Sequence, residues 1–379
     1  MLDESLLDAP DALARADRRG LLRGAAEAGA RVRTALRHTA EAGIAALAPE
    51  GRPRAVLIAG SGAAATGVAD LIGALAGGTA PVTRLRPTGV APAAGALRWA
   101  LPGWAGPVDL LLIVTTDGGE PGLALLAEQA YRRGCTVVAV APRQSPLTEA
   151  VDGSRGLLLP MAAAPNEWLE REPVQVAGPG ALWALLVPLL SLLDRVGLIS
   201  APTGTLQLVA DRLDRTAERC GPAIATYSNP AKTLAAELAE SLPLIWTEGT
   251  AAAPAGRRFA AVLAELAGRP ALAAQLPDAL PAHGALLAGD FAGAADPDDF
   301  FRDRVEERQP LRARIVLLRD RPVGGLTAAP AARELALGHD TAISELEPEE
   351  GSELEALAEL IAVTDFATVY LALAGGAPV

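Results

Sequence analysis

The stretch Val56–Leu75, VLIAGSGAAATGVADLIGAL, decides how the rest of the chain is read. With the two residues before it, RAVLIAG (Arg54–Gly60) is a short apolar, β-branched run that ends in glycine, which predicts a buried strand entering a turn. TGVADLIGALAG (Thr66–Gly77) then predicts a helix. The plan recurs downstream. DLLLIVT (Asp109–Thr115) reads as a strand, TDGGEP as a turn, GLALLAEQAYRRG (Gly122–Gly134) as a helix closed by glycine, and CTVVAVAP (Cys135–Pro142) as a third strand. Wholly apolar strands alternating with amphipathic helices predict a parallel sheet covered on both faces.

Outward from this core, residues 1–50 read as helical, with apolar positions three and four apart. Ala181–Leu193 (ALWALLVPLLSLL) contains Pro188 and is too short to span a bilayer, so a buried helix is expected; Thr205–Arg219 reads as a polar helix. A second α/β series follows. PAIATYS reads as a strand, and Asn229–Leu242 as a helix with Asn then Pro at its start. PLIWTEG reads as a strand, Gly256–Leu266 as a helix, Arg312–Asp320 as a strand and Ser352–Ala374 as a long helix. The expectation is an α/β chain of two doubly wound, flavodoxin-like parallel-sheet domains with an N-terminal helical extension. The division is placed in the Pro- and charge-rich stretch Met161–Gly180: residues 1–165 carry the N-terminal helices and first domain, and 166–379 the connecting helices and second.

The 379 residues suit two domains, and half of them are hydrophobic, enough for large cores. The net charge of −12 and pI near 4.9 argue against nucleic acid as a partner. An anionic metabolite would have to be held locally, by helix N-termini, hydroxyls and a few arginines. Lys232 is the only lysine, so Schiff-base chemistry has no other candidate. Cys135 and Cys220 form no CxxC and read as reduced thiols. The acidic start MLDESLLDAPDALARADRRG has no apolar leader core. A cytoplasmic protein without membrane or nucleic-acid partners is expected.

Several stretches, in order, resemble the bifunctional phosphoglucose/phosphomannose isomerases, whose halves are sugar-isomerase (SIS) domains. Val56–Leu75 resembles their first strand–GSG–helix. LPGWAGPVDLLLIVTTDGGEPGLALLAEQAYRRGCTVVAVAP resembles their second strand–turn–helix–strand. SNPAKTLAAELAESLPLIW resembles the opening of their second domain. RRFAAVLAELAGRPALAAQLPDALPAHG resembles the segment with their catalytic Glu and His, and TDFATVYLALAGGAPV their C-terminal helix. The resemblance implies SIS-type halves, a homodimer, and aldose–ketose isomerisation of hexose 6-phosphates (glucose, mannose or fructose 6-phosphate) through an enediol, with no metal or organic cofactor.

That chemistry needs an anchored phosphate, a ring-opening acid and a base that moves a proton between adjacent carbons. Gly60, Ser61 and Gly62 supply one strand-to-helix turn for the anchor. Thr115, Thr116 and Gly118 supply the other, in TTDGGE. The family's form there is SxSGNT, so Asp117 and Glu120 replace hydroxyl residues, and two carboxylates beside a phosphate dianion are unfavourable. Glu265 falls at the family's catalytic glutamate, although the family's polar NEN is AEL here. His283, in PAHG, falls at its ring-opening histidine, in a loop by this reading. The family's C-terminal lysine has no counterpart, and Arg257 and Arg258 are the nearest basic groups in sequence. His339 reads as surface.

Two other functions fit parts of this pattern. A catalytically impaired phosphosugar-binding or regulatory relative would account for the altered anchor and missing lysine. An NADP-dependent Rossmann enzyme would use GSGAAA as G-x-G-x-x-A, with Arg84 and Arg86 toward a 2′-phosphate. It leaves the TTDGG turn and the second half unexplained.

Overall fold

The computed structural model describes residues 2–44, 51–89, 94–161, 178–289, 291, 312–320 and 326–376. They fall into two compact units, one of residues 19–215 and one of residues 1–18 with 216–379. Residues 2–18 hold helices α1 (Glu4–Leu7) and α2 (Pro10–Ala16), which belong to the second of these.

The unit of residues 19–215 contains α3 (Leu21–Ala26), α4 (Ala28–Glu41), β1 (Val56–Ala59), α5 (Gly62–Leu75), β2 (Val82–Leu85), β3 (Leu110–Val114), α6 (Pro121–Arg132), β4 (Thr136–Ala141), α7 (Pro146–Gly153), β5 (Leu157–Pro160), α8 (Ala181–Arg195) and most of α9 (Thr203–Arg219). Its five strands are all parallel, in the order β2-β1-β3-β4-β5. That is the flavodoxin-like order, not the 3-2-1-4-5-6 order of Rossmann enzymes. Val56 stands opposite Val82 on one side and Leu110 on the other. Every residue of β1 and β3 is buried, as their unbroken apolar sequences require when helices cover both faces. Gly60 leaves β1 where a Cβ would lie 2.3 Å from the Val114 carbonyl oxygen, so only glycine fits.

The second unit continues with α10 (Pro230–Leu238), β6 (Ser241–Glu248), α11 (Ala252–Ala267), β7 (Leu272–Gln275), α12 (Ala279–Ala288), β8 (Arg312–Arg319), α13 (Ala329–Gly338), β9 (Ile343–Leu346) and α14 (Glu353–Ala374). Its sheet is also all parallel, ordered β7-β6-β8-β9. This is the first sheet's plan without the fifth strand, and the two sheets bear out the expected doubly wound pair. Asn229 caps α10, its side chain accepting from the Ala231 and Lys232 amides, and Ser352 and Glu355 form a capping box on α14. Among the described residues α14 alone is long and apolar enough to cross a membrane, and that stretch is entirely buried in protein.

The structure divides the chain elsewhere than the sequence reading does. The boundary expected at 165/166 lies outside the described residues, but those on its far side, 178–215, group with the first sheet. Helix α8 explains this. It is apolar on nearly every side, and α4, α5 and β4 bury it. The N-terminal extension is also split. Asp3 donates its amide to the Ala374 carbonyl, and the Asp8 carboxylate accepts from the Thr226 amide (2.8 Å) and hydroxyl (2.9 Å), tying residues 2–18 to the second sheet's unit. PAIATYS is not a strand. Thr226–Ser228 is a 3₁₀ turn, and Tyr227 is almost fully exposed rather than half-buried on a pleat.

Candidate functional site

In open parallel sheets, ligands bind beyond the carboxyl ends of the strands where the winding direction reverses. In the first sheet that point lies between β1 and β3, and in the second between β6 and β8.

At the first, the residues expected to anchor phosphate do converge. Ser61 is the residue before α5, but its hydroxyl makes no capping bond. Instead Ser61 Oγ donates to Glu120 Oε1 at 2.8 Å, while buried Thr115 Oγ1 donates to Glu120 Oε2 at 2.9 Å. Thr115 Oγ1 also accepts the amides of Gly118 (3.0 Å) and Asp117 (3.3 Å), which shapes the turn. Gly118 has φ +70° and packs against Ser145, so no side chain is accommodated there. Gly60 is buried, Gly62 is exposed at the first position of α5, and Thr116 is half-buried.

Glu120 is therefore the centre of this constellation. It is 6% exposed, and its carboxylate joins the two turns. Burial pushes its pKa up, the bond from Ser61 opposes that, the nearby Asp117 carboxylate adds to the rise, and the bond from Thr115 again opposes it. Both hydroxyls that would face a phosphate already donate to an internal anion.

The second switch point is also closed by a glutamate, one the sequence reading did not single out. Glu248 ends β6 and is buried. Its carboxylate accepts from Thr327 Oγ1 (2.9 and 2.8 Å), from the Ala328 amide just before α13, and from Arg319 Nε at 3.2 Å. Burial alone would raise its pKa, but these donors outweigh it and hold the carboxyl below the usual range. A charged residue closing an otherwise apolar strand, in PLIWTEG, was the available signal.

The two residues of the expected catalytic pair lie on different helices, α11 and α12. Glu265 is exposed near the end of α11. That helix starts just after the carboxyl end of β6 and carries Glu265 about 20 Å along its axis from there. His283 is not in a loop. It lies on α12, 7% exposed, and its Nδ1 accepts the indole N–H of fully buried Trp246 at 2.7 Å. Accepting at Nδ1 leaves the hydrogen on Nε2, and burial pushes the pKa down, so the ring is held neutral.

Two of the candidate cationic groups, Lys232 and Arg258, are committed to structure, whereas Arg257 is exposed. Lys232 is fully buried and donates to the carbonyls of Pro222 (2.8 Å) and Ile224 (2.7 Å), with the Tyr370 ring 5.5 Å away. Arg258 forms a buried two-point ion pair with Asp365 joining α11 to α14, one arm at 3.1 Å. Among the described residues, no group of three or more His, Cys, Asp and Glu side chains is placed to hold a metal ion.

Comparison with known proteins agrees with this architecture. Residues 227–377 match the model of the bacterial phospho-glucose isomerase C-terminal SIS domain. No curated protein matches the chain in sequence. Among solved structures, a candidate phosphosugar isomerase from Silicibacter pomeroyi superposes with TM-score 0.61 at 16% identity, covering 92% of this chain and 95% of that one. A hypothetical protein from Thermus thermophilus gives TM-score 0.63 at 15% identity, with 97% and 89% covered. The tagatose-6-phosphate ketose/aldose isomerase of Escherichia coli gives 0.54 at 12%, with 94% and 91% covered. Residues 227–377 are thus an SIS domain of the bacterial phospho-glucose isomerase C-terminal type by their family match, and the chain as a whole shares the fold of these solved phosphosugar isomerase structures.

Proposed function

We propose that this chain is a binding or regulatory member of its family, one that has given up hexose 6-phosphate isomerisation, and that it works as a cytoplasmic homodimer. One observation carries the reading: the Glu120 carboxylate occupies the Ser61 and Thr115 hydroxyls that the resemblance assigns to substrate phosphate. A phosphate dianion placed there would meet a second anion at contact distance, with Asp117 close by, in a setting where burial strengthens the repulsion. The commitment of Lys232 and Arg258 to internal partners supports it, since neither can approach a ligand without breaking buried bonds.

Glu265 favours a second reading, catalysis of aldose–ketose isomerisation on a hexose 6-phosphate, because it is exposed at the position matching the family's base. That reading requires Glu120 to leave both hydroxyls. Turnover of fructose 6-phosphate by purified, folded protein separates the two. The proposal predicts neither glucose 6-phosphate nor mannose 6-phosphate. Formation of either product, abolished by Glu265→Gln, would replace it with the isomerase.

A further inference from the structure

At the opposite edge of the first sheet, where β3, β4 and β5 begin, a cavity of about 800 Å³ opens. Its walls are apolar, from Pro53, Val108, Val137, Leu157, Leu192 and Val196. Three charged residues line it among those described: Arg52, Asp109 and Arg155. Asp109 is already neutralised. Its carboxylate accepts from Arg54 Nε (3.0 Å) and Nη2 (2.6 Å) and from the Gly106 amide (2.8 Å). Neither the Arg52 nor the Arg155 guanidinium has a hydrogen-bond or ion-pair partner among the described residues, and both side chains are exposed. The cavity therefore joins apolar walls to two uncompensated guanidinium groups, in a chain whose net charge is −12.

One of the two arginines sits where the backbone favours glycine, and the other packs over a glycine. Arg155 has φ +51°, a left-handed conformation that arginine adopts only at a cost and that glycine takes freely. Arg52 lies over Gly197, where a Cβ would stand 3.3 Å from its Nε. A strained backbone carrying an arginine in place of glycine, beside a cavity, is the kind of outlier found at ligand sites. A pocket with apolar walls and a few placed charged groups is also the usual form of a small-molecule site.

We propose that this cavity binds a small organic anion with an apolar body, such as a medium-chain or aromatic carboxylate, whose charge is held by Arg52 and Arg155. The site is independent of the Glu120 constellation, which lies at the other ends of the same strands.

The fluorescent probe 8-anilinonaphthalene-1-sulfonate, with octanoate and n-octanol as competitors, tests this on the full chain. Saturable binding at one site per chain is expected, reversed by octanoate but not by octanol at equal concentration. Arg52→Ala and Arg155→Gly should each weaken octanoate binding by about tenfold or more, the value of a charge-assisted contact. Arg155→Gly should leave the melting temperature unchanged or raise it by about 2 °C, because glycine relieves the left-handed backbone; loss of binding then cannot be blamed on unfolding. Equal displacement by octanol, or affinity within twofold of wild type in both variants, would overturn the proposal.

Discussion

The two sheets solve the same problem with the same residue type and reach opposite electrostatic results. Each has its switch point closed by a buried glutamate. In the first, Glu120 comes from the turn after β3 and reaches the start of α5; in the second, Glu248 comes from the end of β6 and reaches the start of α13. Glu120 is met by two neutral hydroxyls and has Asp117 nearby, and its pKa rises. Glu248 is met by a hydroxyl, a backbone amide and a guanidinium, and its pKa falls. Burial opposes ionisation at both. The donors decide the outcome, and a charged donor counts for roughly twice a neutral one.

The strongest contrast should appear on removing each carboxylate. Glu248→Leu takes the partner from Thr327, the Ala328 amide and Arg319, and should cost about 2–4 kcal/mol in urea unfolding. Arg319 keeps its contact with Glu347, which limits the loss. A change below about 1 kcal/mol would mean that the second switch point is not held by this cluster.

Next in size is the tether inside the second core. Trp246→Phe removes the indole donor and leaves His283 Nδ1 without it, an expected cost of about 1–2 kcal/mol. In the wild-type protein, nitrogen NMR should show His283 neutral, with the proton on Nε2, and protonating only below the ordinary histidine value. A ring that protonates at ordinary histidine pH would contradict its burial.

The smallest effects should carry the sharpest pH signature. A lowered folded pKa means that Glu248 stabilises the native state above the ordinary carboxylate value, and that this is lost as pH falls through its folded pKa. The deficit of Glu248→Gln should therefore be full near neutrality and shrink on acidification. A raised folded pKa means that ionised Glu120 costs stability, fully above that pKa and not at all below the ordinary value. Glu120→Gln should thus gain on wild type as pH rises through that interval. Parallel pH profiles for the two variants would break the contrast.

The same difference explains what the sequence made legible. Long apolar strands and the glycine turns beside them announce themselves, so β1, β3, β4 and the Gly60 and Gly118 turns could be read directly. Strands β2, β7 and β9 are four residues each and mostly half-exposed, with no apolar run to mark them. The carboxylates of TTDGGE could be recognised as wrong for phosphate. That Glu120 itself takes up Ser61 was not legible, because the bond spans 59 residues of chain. His283 escaped for the same reason: its loop-like neighbourhood PAHG says nothing of Trp246, 37 residues away.

The most direct test of the central claim is calorimetric titration of glucose 6-phosphate into the wild-type protein and into Glu120→Thr, which replaces the internal anion with a hydroxyl. Wild type should show no measurable binding at the first-half turn, and the variant should gain affinity by at least about tenfold, lost again on adding Ser61→Ala. Binding of equal strength by wild type and variant, sensitive to Ser61→Ala in both, would show that Glu120 does not occupy the anchor.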